Sequence, residues 1–169
     1  MIIKAMIYIL LQFNGHQIGI NENGLDGIVV DSTSYKNVEQ ILGEPDKKDK
    51  YWEKSPWISK GNYVKVYTYE KKGIIIFMDK VTSKNWVVKS IHVMKPFAGK
   101  TKKEIGIGDT YAEISQKYGE LKIYSISNGY SYIEISEPKS AVVVELICDD
   151  FCKKSDFKVD WIRITKTNQ

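Results

Sequence analysis

Two stretches of the chain set apolar residues at helical spacing between matching boundary residues. Tyr35, Val38 and Leu42 recur between Ser34 and Gly43; Tyr111, Ile114 and Tyr118 recur between Thr110 and Gly119. Ser34 and Thr110 carry hydroxyls suited to the orphan amides of a first helical turn, and Glu113, three residues past Thr110, completes a capping box. Gly43 and Gly119 suit the left-handed residue that closes a helix, and Pro45 forbids resumption of the first one. An isolated helix is marginal in water below about 12–15 residues. Both predicted helices are shorter than that, so each must dock on something flat.

A period of two follows each helical segment. After the first come Tyr63–Tyr69, a polar turn at Glu70–Gly73, the apolar run Ile74–Met78, and Val87–Val93. After the second come Tyr130–Ile135, a turn through Glu137, Pro138 and Lys139, then Ala141–Ile147 and Val159–Ile164. This order predicts an α+β fold of two tandem repeats. Each repeat is a short helix, or helical pair, followed by a three- to four-stranded antiparallel sheet with the helices on one face. The repeats would span residues 25–98 and 99–169, with 1–24 a leader or an N-terminal strand or helix.

Alternation also assigns faces. Val64, Val66 and Thr68 share one side of their strand and are expected to meet the helix; Tyr63, Lys65, Tyr67 and Tyr69 share the other. In the second unit Tyr130, Tyr132 and Glu134 oppose Ile133 and Ile135. Ser90, His92, Trp161 and Arg163 would extend the uncovered face. Tyrosine, tryptophan and arginine dominate binding hot spots because they bury large areas with few rotors; the same aromatics also serve as cross-strand pairs that stabilise a sheet. The segment Asp46–Asn62, with Tyr51, Trp52, Pro56 and Trp57, is expected to be a long loop that folds over the sheet edge or reaches a partner.

Composition narrows the function classes. With 43% hydrophobic and 27% charged residues the chain reads as globular. Its net charge of +4 comes almost wholly from lysine, Arg163 being the sole arginine. The planar fork that reads bases and clamps phosphates is therefore scarce, which argues against nucleic acid. Lys47, Lys48 and Lys50, like Lys100, Lys102 and Lys103, read as soluble loop residues.

The apolar stretch Ala5–Leu11, preceded by Lys4, is too short to span a bilayer. It has the layout of a secretory leader, although Phe13, Asn14 and Gly15 form no small-x-small cleavage site; the alternative is an element packed on the core. Cys148 and Cys152 are a disulfide candidate in an oxidising compartment, ahead of two free thiols or a metal site. Two histidines, His16 and His92, are too few for a structural zinc. Glu145, Asp149 and Asp150 could hold a cation but read better as a solvated turn. No nucleophile elbow, P-loop or paired metal-binding histidines stand out. The expectation is no catalytic residue, no cofactor and no metal.

The Gly106-Ile107-Gly108-Asp109-Thr110 lead, the short helices closing at Tyr118-Gly119 and at Leu42-Gly43-Glu44-Pro45, and the antiparallel strands behind them resemble the β-lactamase inhibitory protein and BamE/SmpA family of folds. The likeness runs from about Gly27 to Thr165 and implies a protein-binding module that grips its partner on a concave sheet face. It departs from that family in having no lipobox cysteine near the start, and Cys148 with Cys152 does not reproduce the inhibitor's disulfide spacing. The resulting expectation is an inhibitor or envelope accessory protein, periplasmic or secreted. The alternatives are a cytosolic immunity-type or accessory protein that neutralises a toxin or enzyme through the Trp52–Trp57 loop, and an unrecognised enzyme.

Overall fold

The computed structural model describes residues 18–53, 62–80, 85–121, 124–125, 130–136, 140–149 and 153–165. Residues 1–17 of the predicted leader or N-terminal element, Trp57 and Cys152 lie outside the described residues. Eight strands form one antiparallel sheet: β4 (Lys47–Glu53), β5 (Asn62–Tyr69), β6 (Ile74–Lys80), β7 (Trp86–Met94), β8 (Tyr124–Ser125), β9 (Tyr130–Ser136), β10 (Val142–Asp149) and β11 (Lys158–Thr165). Their order is β4-β5-β6-β7-β11-β10-β9-β8. A small three-stranded sheet precedes them: β1 (Ile20–Asn21), β2 (Gly24–Leu25) and β3 (Ile28–Val29). The helices are α1 (Tyr35–Leu42) and α2 (Tyr111–Tyr118).

The architecture corrects the expected α+β class with two helix-plus-sheet repeats. The described chain is mostly β, with two α-helices of eight residues each, and its main sheet is a single surface. Two features account for the difference. Residues 20–29 pair as strands, and the lysine-rich segment read as loop is β4, paired with β5 from Lys47↔Thr68 to Glu53↔Asn62. β4 shows no apolar alternation because every one of its residues is exposed.

One apolar cluster holds the helices and the small sheet against a single face of the main sheet. From the sheet it takes Tyr67, Tyr69, Ile74, Ile76, Met78, Val88, Ile91, Val93, Ile133, Val144, Leu146, Val159, Ile162 and Ile164. Over these lie Ile20, Leu25, Ile28, Val38, Leu42 and Ile114. A fully buried aliphatic side chain contributes about 1.5–3 kcal/mol, so helices too short to persist alone are held by burial.

The entry to each helix is tied into the sheet. Asp31 N donates to Val88 O at 2.7 Å and Val88 N to Thr33 O at 2.9 Å; Gly108 N donates to Val159 O at 2.8 Å and Val159 N to Asp109 O at 2.9 Å. Gly73 closes the hairpin between β5 and β6 with φ of 64°, and a Cβ there would sit 2.1 Å from Met94 O. No other residue fits that approach.

The helices end at the expected glycines, with two differences. Gly43 and Gly119 close them at φ of 82° and 79° but with ψ of −165° and −159°, outside the left-handed helical region. Thr110 Oγ1 accepts from Glu113 N, and Glu113 Oε2 accepts from Thr110 N at 2.7 Å, so the capping box is made. Ser34 makes no side-chain cap bond. Asn37 stands where α2 has Glu113, so α1 lacks the reciprocal half of the box.

Thr110→Ala is expected to lower stability by about 1 kcal/mol and Ser34→Ala by much less; equal shifts in urea midpoint would show that the cap is not the cause. Tyr69 Oη is buried with no hydrogen-bond partner among the described residues. Leaving a buried hydroxyl unsatisfied costs about 1–3 kcal/mol, so Tyr69→Phe is expected to raise the thermal midpoint, and a fall would place an undescribed partner at that hydroxyl.

Candidate functional site

Across the sheet from the core no described helix or strand lies over the surface, although Val64, Val66 and Val143 on that side are buried. The residues that reach it are set by one ladder, in which β7 pairs with β11 as His92↔Arg163, Met94↔Trp161 and Ser90↔Thr165. Opposed residues in a ladder share a face, so His92, Arg163, Trp161 and Met94 stand together on the side away from Val93, Ile91, Ile162 and Ile164.

A row of rings runs across this face. Phe77 of β6 meets the imidazole of His92 with centroids 4.7 Å apart, and His92 meets Trp161 of β11 edge-on at 5.5 Å. Trp161 Nε1 donates to Glu145 Oε2 on β10. Arg163 Nη2 lies 3.1 Å from Glu145 Oε1 and 3.4 Å from Glu134 Oε2 of β9. Its Nε is buried with no partner among the described residues. An open recess of about 1010 Å³ is lined by this cluster of Trp161, Glu145, Arg163 and Glu134 together with Tyr132, Ile147, Cys148, Asp156, Lys158 and Asp160. Burial, and secondarily the Arg163 charge, pushes the His92 imidazole down to about 4. At neutral pH the ring is uncharged and packs as an aromatic.

The expected site divides. His92, Trp161, Arg163 and Tyr132 come together on the uncovered face. Tyr63, Lys65, Tyr67 and Tyr69 do not: the strand is turned the other way, and these four share the face that carries the helices. Tyr67 and Tyr69 are 6% and 1% exposed in the core, and Tyr67 stacks on Tyr35 of α1 at 4.3 Å. Val64 and Val66, expected under the helix, lie on the opposite side and stand outside the core cluster. Lys65 Nζ lies over the Trp86 ring at 4.5 Å. Trp52 is on the exposed edge strand, edge-on to Tyr63 at 4.7 Å. Tyr130 pairs through its backbone with Asp149. Cys148 is disulfide-bonded. Phe77 and Lys158 were not singled out from sequence. The unbroken apolar run Ile74–Met78 hides which of its residues face outward, and only the pairing Ile75↔His92 reveals it.

Chemically the face offers rings, two carboxylates locked on one guanidinium, and polar rim groups. Among the described residues no cluster of three His, Cys, Asp or Glu is placed to hold a metal ion, and no helix is long and apolar enough to cross a membrane.

No family model matches the chain. A 5-dehydro-2-deoxygluconokinase of Clostridium tetani is 26% identical over 139 residues; the match covers 82% of this chain and 37% of that protein. The chain thus spans little more than a third of the curated relative it matches. Among solved structures, the uncharacterised protein YfeY of Escherichia coli superposes with a TM-score of 0.51 at 11% identity, over 88% of this chain and 99% of that one. A DUF4309 family protein, YjgB, of Bacillus subtilis gives 0.45 at 10% identity, over 83% of each. The YfeY likeness is one of fold.

His92 sets a pH dependence. Its folded pKa lies below the unfolded value near 6.5, so the unfolded state binds more protons between the two. Stability is therefore expected to fall as pH drops from about 6.5 to about 4 and to flatten below that. Denaturant titrations of wild type and His92→Gln across this range check it: the difference between them should carry that slope, and parallel curves would refute the assignment.

Proposed function

We propose that this chain is a non-enzymatic protein-binding module that docks its partner on the uncovered sheet face, in the manner of an inhibitor or envelope accessory protein. One observation carries the reading: the Phe77–His92–Trp161 row continues into the Glu134–Arg163–Glu145 cluster and the Tyr132 recess, across strands β6, β7, β11, β10 and β9. Four interstrand spacings make that surface about 19 Å wide, which suits a protein patch better than a single small molecule. Its residue types are those that carry most of the energy in interfaces. The resemblance to the inhibitory-protein family supports the same mode of grip, and the identity shared with the kinase is too slight to carry its activity over.

The test compares capture of a saturable partner from the source cells by immobilised wild type, by Trp161→Ala and Phe77→Ala, and by Lys36→Ala and Gln40→Ala on the exposed side of α1. The first two substitutions are expected to weaken binding by at least about tenfold, while the α1 variants bind as wild type. Retention by the sheet-face variants, or loss by the α1 variants, overturns the reading.

A further inference from the structure

The two edges of the main sheet are unlike. β8 closes one edge with two described residues. β4 closes the other with seven, all exposed, Trp52 and Tyr51 by 54% and 43%. One side of β4 is paired with β5 in unbroken register, and among the described residues no strand lies on the other. In an antiparallel ladder alternate residues direct their N–H and C=O groups to opposite sides. About half of the backbone groups of β4 therefore point outward, as an open template for another strand.

We propose that β4 pairs antiparallel with β4 of a second copy of this chain, centred on Lys50, joining two sheets into one. The charges on the strand favour this occupant and, among registers that overlap five or more residues of β4, this one; centring on Lys48 pairs Lys47 with Asp49 but overlaps only three residues of the strand. A two-fold axis perpendicular to the sheet keeps each residue on its own face, so only registers centred on a residue are allowed. Centred on Lys50, Lys47 faces Glu53 of the second copy, Lys48 faces Trp52, and Asp49 faces Tyr51, each twice. That gives two ammonium–carboxylate pairs and two cations against indole rings. Lys50 alone meets its like, and its ammonium already lies over the Tyr63 ring at 4.2 Å. Centring on Asp49 instead sets Lys48 against Lys50 twice and Asp49 against itself; centring on Tyr51 sets Asp49 against Glu53 twice. Both alternatives oppose like charges directly, which is destabilising. Among the described residues Glu53 makes no ion pair, and Lys47 reaches only the neighbouring Asp49, at 3.2 Å.

The axis leaves the uncovered faces of both copies on the same side, so the dimer presents two partner-binding surfaces in one plane. This inference stands on the edge strand and does not depend on what those surfaces bind.

Light scattering after size exclusion and sedimentation equilibrium, over a concentration series of the full chain, test it. Wild type is expected to show a monomer–dimer equilibrium. Lys47→Glu sets Glu opposite Glu53, and Glu53→Lys sets Lys opposite Lys47; each is expected to weaken the dimer about tenfold. The double variant Lys47→Glu/Glu53→Lys restores opposite charges and is expected to recover most of that loss. All four side chains of the two pairs are exposed, and unchanged melting of the monomers would confirm that the fold is intact. A monomer at every concentration overturns the proposal, as does a dimer that the single swaps leave unaffected or that the double swap fails to rescue. Binding of an unrelated extended peptide to β4 of a strictly monomeric chain also overturns it.

Discussion

The ladder between β7 and β11 is the constraint on which the rest of the molecule depends. Its five pairs run from Trp161↔Met94 to Thr165↔Ser90. On one side they bring Val93 against Ile162 and Ile91 against Ile164, all fully buried. On the other they bring His92 against Arg163 and seat Trp161 beside the imidazole. Core and candidate site are thus two faces of the same register. A slip by one residue would turn a histidine and an arginine into the apolar cluster, so core burial fixes the geometry of the outer face.

Two bulges make that register compatible with the sequence. Phe77 pairs with Ser90 and Met78 with Val88, leaving Lys89 unopposed on β7; Glu145 pairs with Trp161 and Leu146 with Val159, leaving Asp160 unopposed on β11. In regular alternation Val88 would share a face with Ser90 and His92, and Val159 with Trp161 and Arg163. The extra residue in each strand shifts the phase, so that Val88 and Val159 also enter the core. Each bulged strand is hydrogen-bonded at this point to the segment leading into a helix, through Val88 to residues 31 and 33 and through Val159 to residues 108 and 109. The same irregularities therefore set the phase of the strands and anchor the helices.

Legibility from sequence followed the strength of burial contrast. The helices were readable because caps and glycines mark their ends, and β6, β7, β10 and β11 were readable because their buried residues are aliphatic. His92, Trp161 and Arg163 could be placed because Val93, Ile162 and Ile164 beside them have to face inward. β5 was not readable in orientation: its valines and its tyrosines are both good strand residues, and the period of two does not say which set is covered. The deciding contact is the stack of Tyr67 on Tyr35, a partner far off in sequence. β4 carried no signal at all, since a strand exposed on both faces has no alternation. The expected class failed partly for this reason and partly because the β7–β11 pairing that joins two expected sheets into one is a long-range contact that no local pattern marks.

The side chains of the outer face hold one another in place. Trp161 is held through its ring by His92 and through its Nε1 by Glu145, and that carboxylate also fixes Arg163. Burial, and secondarily Arg163, keeps His92 neutral, and a neutral imidazole packs between Phe77 and Trp161 without a second buried charge beside the guanidinium. Each group restrains the next, so little rotamer freedom remains to be lost on association. The ion pairs at this partly exposed position add little to stability by themselves. What they contribute is the orientation of the rings, which the proposed docking of a protein surface would use.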